Sequence, residues 1–314
     1  MTARALWCVA AGRAECRPAD EGEGTQVHAL FSGISRGTER LVFQGRVPPS
    51  EHGRMRAPGQ EGAFPFPVKY GYCMVGLARG GVHAGQTVFA LHPHQDRFRL
   101  PDTALTPLPP GLPPERAVLA ANMETALNVL WDSGAGAGDR VAVIGAGVVG
   151  ALVGWLAACL PGAEVTLADI QPDRAALSAA LGCSFALPDA LADDFDVVIH
   201  ASGTAPGLSA ALAAAGPEAT VVEASWHGAG CVTVPLGGAF HSRRLRVISS
   251  QVGRLPPGHA PRWTHARRLA KALALLADPR LDVLISGETA FDDLPGQYGA
   301  ILNAPGTLCH RIRY

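Results

Sequence analysis

In "VAVIGAGVVG", Gly145, Gly147 and Gly150 stand between an apolar run and a helical one, and Asp169 follows 19 residues after Gly150. Each type suits one task at a nucleotide phosphate. Gly145 permits a tight turn, Gly147 lets the backbone approach a pyrophosphate, and Gly150 lets helix pack closely on strand. The phosphates would then sit at a helix N-terminus, where the N–H groups of residues such as Val148 and Val149 favour anions. Asp169 would accept hydrogen bonds from ribose hydroxyls and repel a 2′-phosphate, so NAD is expected over NADP. Arg174 is placed near the same ribose, with a solvated first-turn arginine as the alternative. Ser202 is assigned to the same cofactor site. The bland reading of the motif is a glycine-rich turn in an unrelated α/β fold.

A second group lies in "LHPHQDRF". His92 and His94 are two residues apart, on one face if the segment is extended. Histidine is the usual acid–base group near neutral pH, and two together could also ligate a metal. Otherwise one of them is a solvent-facing histidine at a strand end.

The elements around these groups change character along the chain. The first hundred residues are rich in Gly and Pro, with short apolar runs such as "QVHALFS" and "YCMVGLA". They predict an irregular, mostly antiparallel β domain over residues 1–120. Residues 46–67 carry too many Gly and Pro for an element interior and read as a long loop. Ala117, Leu119, Ala120, Met123, Leu127 and Leu130 suit one helix leading into a second domain, residues 121–253. There, six short apolar strands with helices between most of them predict a doubly wound parallel sheet. Residues 254–314 are expected to fold back onto the first domain.

Composition narrows the partners. The 314 residues carry a net charge of −1, which gives no reason to expect nucleic acid or an anionic membrane. Lys69 and Lys271 are the only lysines, so a Tyr-x-x-x-Lys pair is absent; the arginine bias reflects a GC-rich genome. The seven cysteines never form C-x-x-C and read as reduced residues of a cytoplasmic protein. "VVGALVGWLAACL" is too short to span a bilayer, and the N-terminus lacks a signal peptide's apolar run.

A β-rich first domain, a linking helix, a Rossmann domain and a returning tail resemble the medium-chain dehydrogenase/reductase superfamily of the alcohol dehydrogenase type. The resemblance implies a GroES-like catalytic domain before the Rossmann domain. "GISRGTERLVFQG" resembles the loop that reads G-x-C-x-[ST]-[DE] in zinc members, and "FPVKYGYCMVG" resembles their P-x-x-x-G-H-E-x-x-G segment. The "SGIS-x-GTE" wording is closest to the bacteriochlorophyllide a dehydrogenase branch and its bacterial relatives.

The departures carry as much meaning. Ser35 stands at the cysteine ligand position, Tyr72 and Cys73 replace His-Glu, and Ala121 aligns with the third ligand. The four-cysteine structural lobe is absent, so neither zinc is expected. An unusual metal site would have to draw on Cys73, His92 or His94.

By the same resemblance, Thr38 matches the hydroxyl that contacts the substrate oxygen. Glu39 is the acid beside it, or a structural partner of Arg36 or Arg40. Tyr72 would donate to a carbonyl, or would only fill the space of the metal. His94 is the expected proton exchanger. Glu124 and Thr125 would line the nicotinamide pocket, with exposed helix positions as the alternative. Relatives commonly pair through the edge strand of the cofactor domain, which implies a homodimer.

The expected activity is zinc-independent, NAD(H)-dependent interconversion of a secondary alcohol and a ketone. The rivals are an NADPH-dependent quinone or enone reductase and a dinucleotide-binding protein without turnover.

Overall fold

The computed structural model describes residues 2–314. The chain divides into two compact units, one formed by residues up to Ala121 with Ala270–Tyr314, the other by Asn122–Leu269.

The first unit opens with β1 (Arg4–Ala10), β2 (Arg13–Pro18) and β3 (Thr25–Ile34), then α1 (Arg36–Phe43). The short strands β4 (Val68–Lys69), β5 (Met74–Ala78), β6 (Thr87–Ala90), β7 (Arg97–Leu100) and β8 (Thr106–Pro107) follow, then α2 (Pro114–Ala117). Residues 46–67 are irregular apart from one short 3-10 turn, as their Gly and Pro content predicts.

The "GISRGTE" segment is not a loop. Ile34 ends β3, Ser35 caps α1, and Thr38 and Glu39 lie in its first half. The helix forms because its buried face carries Glu39, Val42 and Phe43, and because the Glu39 carboxylate accepts the Ser35 N–H at 2.7 Å. That bond satisfies a backbone donor just outside the helix, as a capping acid does.

The second unit begins in α3 (Ala120–Ser133). Its elements are β9 (Arg140–Ile144), α4 (Val148–Ala158), β10 (Glu164–Ala168), α5 (Arg174–Ala180), β11 (Ser184–Ala186), β12 (Phe195–His200), α6 (Ala205–Ala214), β13 (Ala215–Glu223), α7 (Ala239–Ser242), β14 (Arg246–Ser249) and α8 (His265–Leu275). The six strands are all parallel in the order β11-β10-β9-β12-β13-β14. This is the doubly wound order, which places ligands outside the carboxyl ends of the central strands. Val141, Ala142 and Val143 of β9 are wholly buried, as a strand covered on both faces must be. The expected single linking helix is instead α2 and α3, with Val118 and Leu119 as a turn between them.

The chain passes back to the first unit within α8, at Ala270 rather than after Gly253. β15 (Ile285–Ala290), α9 (Leu294–Asn303) and β16 (Cys309–Arg313) complete it. β16 pairs antiparallel with β3, His310 opposite Ile34 and Arg313 opposite Phe31. The resulting seven-stranded sheet runs β15-β16-β3-β5-β6-β8, with β7 also on β3; a second sheet runs β2-β1-β4. No helix among the described residues is long and apolar enough to cross a membrane.

Candidate functional site

In the second unit the glycine turn has distinct demands at each position. Gly145 has φ +104°, and a Cβ there would lie 2.7 Å from the Cα and N of Ser202. A Cβ on Gly150 would lie 1.9 Å from the Gly145 carbonyl oxygen. Gly147 differs: a Cβ there would meet nothing within 4 Å. The protein's own packing therefore requires glycine at 145 and 150 but not at 147, where a bare backbone would let an outside group approach closely. Gly147 caps α4, so the N–H groups of Val148, Val149 and Gly150 have no acceptor inside the helix. These are the residues that would hold a pyrophosphate.

Asp169 follows β10 and is bonded to this turn. Its Oδ2 accepts the Ala146 N–H at 2.8 Å and its Oδ1 accepts the Gln171 N–H at 2.9 Å. A carboxylate has about four acceptor positions, so capacity for ribose hydroxyls remains. Ile170 beside it is 81% exposed, an apolar surface suited to a base and missed in the sequence, although its place next to the acid was visible. Arg174 opens α5 and is buried, which removes the solvated alternative. Ser202 packs against Gly145, and its Oγ lies 2.7 Å from His200 Nε2.

In the first unit, Tyr72 hydrogen bonds with the side chains of Ser35 and Thr38. Burial raises the Tyr72 phenol above its ordinary pKa, outweighing those two bonds, so it is a neutral donor at physiological pH. Behind this hydroxyl group lies Glu39, only 1% exposed. Its Oε1 takes the Ser35 N–H, while Oε2 lies 2.9 Å from His94 Nε2 and accepts the Tyr298 hydroxyl at 2.6 Å. His94 Nδ1 lies 2.8 Å from Ser32 Oγ, which lies 2.9 Å from the Tyr314 hydroxyl. Gly71, at φ +127°, makes room for this ring: a Cβ there would lie 3.0 Å from His94 Cδ2 and Nε2.

Neither histidine matches its expected setting. His92 and His94 are both buried, so no solvent-facing histidine ends the strand. They do not serve one face. His92 stacks on Phe98 with centroids 4.0 Å apart, and its Nδ1 lies 3.0 Å from the Pro93 carbonyl oxygen. Burial lowers its pKa to about 3, so it stays neutral. His94 has both ring nitrogens engaged inside the unit, by Ser32 and Glu39. Glu39 pairs with His94 rather than with Arg36 or Arg40. Tyr298, Ser32 and Tyr314 belong to the same network, and nothing local in the sequence marks them.

Ser35, Tyr72 and Ala121 offer two hydroxyls and a methyl group, a donor set that does not fit zinc. Cys73, His92 and His94 are not brought together as ligands among the described residues. Glu124 is buried, not on the helix surface: its Oε1 accepts Arg268 Nε at 3.0 Å, and Arg268 also reaches Asn128 Oδ1 at 2.6 Å. Burial raises the Glu124 pKa, with the Arg268 charge opposing. Thr125 lies in the second turn of α3, half-buried.

No family model matches the chain. Among solved structures it is similar to one described as a zinc-binding dehydrogenase from Sinorhizobium meliloti bound to NADP, at TM-score 0.79 and 20% identity over 100% of both chains. It is similar to 2R,3R-butanediol dehydrogenase from Bacillus subtilis, at TM-score 0.79 and 15% identity over 100% of both chains. A short chain alcohol dehydrogenase from Escherichia coli complexed with NADH also covers 100% of both chains, at TM-score 0.77 and 14% identity. The fold is that of these dehydrogenases. The first unit is thus the GroES-like β domain and the second the Rossmann domain.

Proposed function

We propose that the chain is an NAD(H)-dependent oxidoreductase that interconverts a secondary alcohol and its ketone without zinc. The observation that carries this reading is the Gly145 turn with Asp169 fastened to it, beside an α4 N-terminus whose N–H groups face outward. Gly147, Val148, Val149 and Gly150 hold the pyrophosphate. Asp169 and Arg174 flank the adenosine ribose, and Ser202 and Thr125 complete the cofactor contacts. Bound nicotinamide supplies the hydride acceptor or donor.

The chain's own residues then have three tasks. On substrate binding the hydroxyls of Thr38 and Tyr72 exchange their mutual hydrogen bond for bonds to the substrate oxygen, where they stabilise the negative charge that grows during carbonyl reduction. Ser35 orients the Tyr72 hydroxyl. Glu39 and His94 fix the start of α1 and so aim Thr38. The "SGIS-x-GTE" wording, together with the absence of ligand residues at 35, 72 and 121, supports a reading of the chain as a relative of the bacteriochlorophyllide a dehydrogenase-like branch.

Solved neighbours bind NADP in one case and NADH in another, so the fold does not choose the cofactor. The Asp169 charge supports NAD(H), because a carboxylate there opposes a 2′-phosphate. Nicotinamide fluorescence titration tests the choice: NADH is expected to bind more tightly than NADPH, and the reverse order refutes it.

A further inference from the structure

The carboxyl ends of β12 and β13 bring together three side chains that the proposed reaction does not use. His200 is the last residue of β12 and Glu223 the last of β13, and the two are paired in parallel register. His200 Nδ1 lies 2.7 Å from Glu223 Oε2, and His227 Nε2 lies 3.2 Å from the same oxygen. The three ligand atoms lie within 4.8 Å of one another. The two imidazole rings stack at 5.9 Å with planes 20° apart.

We infer that His200, Glu223 and His227 bind one divalent transition-metal ion in the dinucleotide-binding unit. Zinc bonds to nitrogen and oxygen are about 2.0–2.2 Å, so donors around a tetrahedral ion lie roughly 3.3 Å apart. The observed spacing reaches that value with small side-chain shifts. Two of the ligands stand on adjacent central strands, which hold the site rigid.

The other polar atoms of His200 and Glu223 are already engaged, as metal ligands' outer atoms usually are. Ser202 Oγ meets His200 Nε2 at 2.7 Å, and Glu223 Oε1 accepts the Ser225 N–H at 2.7 Å. If His200 Nε2–H donates to Ser202, a lone pair on Nδ1 faces a carboxylate oxygen, and a cation between them removes the repulsion. Two imidazoles with one carboxylate favour zinc, cobalt or nickel over calcium or magnesium. The side chains of His227 and Glu223 are 18% and 17% exposed while that of His200 is wholly buried, so one side stays open for water as a further ligand. The competing arrangement has no ion: both imidazoles donate N–H to Glu223, and Ser202 donates to His200.

Untagged full-length protein, stripped with chelator, is titrated with Co2+ by visible absorption and with Zn2+ by calorimetry. One ion per chain is expected, with Zn2+ raising the Tm. His227→Gln and Glu223→Gln should each weaken binding at least tenfold and abolish the Tm rise. His227→Gln should fold normally, since its ring is partly exposed. Cys159→Ser and Cys231→Ser, which remove the two exposed thiols, should bind as the parent does. No ion at stoichiometry, undiminished binding in both ligand variants, or loss of binding with the cysteines overturns the site.

Discussion

The Asp169 carboxylate accepts the Ala146 N–H at 2.8 Å, so the acid assigned to the ribose also fastens the glycine turn. Asp169→Ser therefore loses two functions together. NADH affinity should fall about tenfold or more, since a hydrogen bond to a charged group contributes about 1.5–3 kcal/mol. NADPH should lose less, because repulsion of its 2′-phosphate is relieved. Fluorescence titration of both cofactors on parent and variant checks the narrowing.

Gly145 and Gly147 should separate packing from cofactor approach. Gly145→Ala drives a Cβ to 2.7 Å from the Ser202 backbone at a φ that side chains rarely adopt, so it should cost on the order of 2 kcal/mol of stability. Gly147→Ala meets nothing within 4 Å in the chain itself. It should melt with the parent yet bind NADH far more weakly. Thermal melts paired with NADH titrations read both effects.

What could be read in the sequence was what is local to it. The three glycines, the acid and the six strands lie in one continuous stretch whose order dictates the doubly wound sheet. The setting of His94 was not readable, because Glu39 is 55 residues away and Tyr298 joins the same carboxylate from 259 residues beyond it. The helix at Arg36–Phe43 was hidden by Gly37, whose poor helix propensity is offset by burial of Val42 and Phe43 and by the Ser35–Glu39 bond. His200 and Glu223 are 23 residues apart and meet only through parallel strand register.

Thr38→Val and Tyr72→Phe should each cut turnover about a hundredfold, the usual loss for one donor aimed at a developing oxyanion, or on the order of 3 kcal/mol. NADH affinity should stay within about twofold. Steady-state kinetics with NADH titrations decide this, and normal turnover in both variants would remove the hydroxyl pair from the mechanism.

His94→Ala should act through structure. It leaves Ser32 and Glu39 short of a buried partner, at a cost on the order of 3 kcal/mol, and shifts the start of α1 that carries Thr38. The variant should melt several degrees lower. Its residual turnover should keep the parent's pH–rate shape, because both ring nitrogens are engaged inside the unit. A profile flattened between about pH 6 and 8 would instead make His94 the proton exchanger.

The central claim is hydride transfer without zinc in the β-rich unit, and one measurement meets it head-on. Chelator-treated protein, with its metal content followed by elemental analysis, is mixed with 4-deuterated NADH and a panel of ketones, and the alcohols are analysed by mass spectrometry. The account predicts deuterium delivered to the carbinol carbon by metal-free protein at the rate of untreated protein. Transfer that stops on removal of zinc and returns when zinc is restored, in the His227→Gln variant as in the parent, would contradict it.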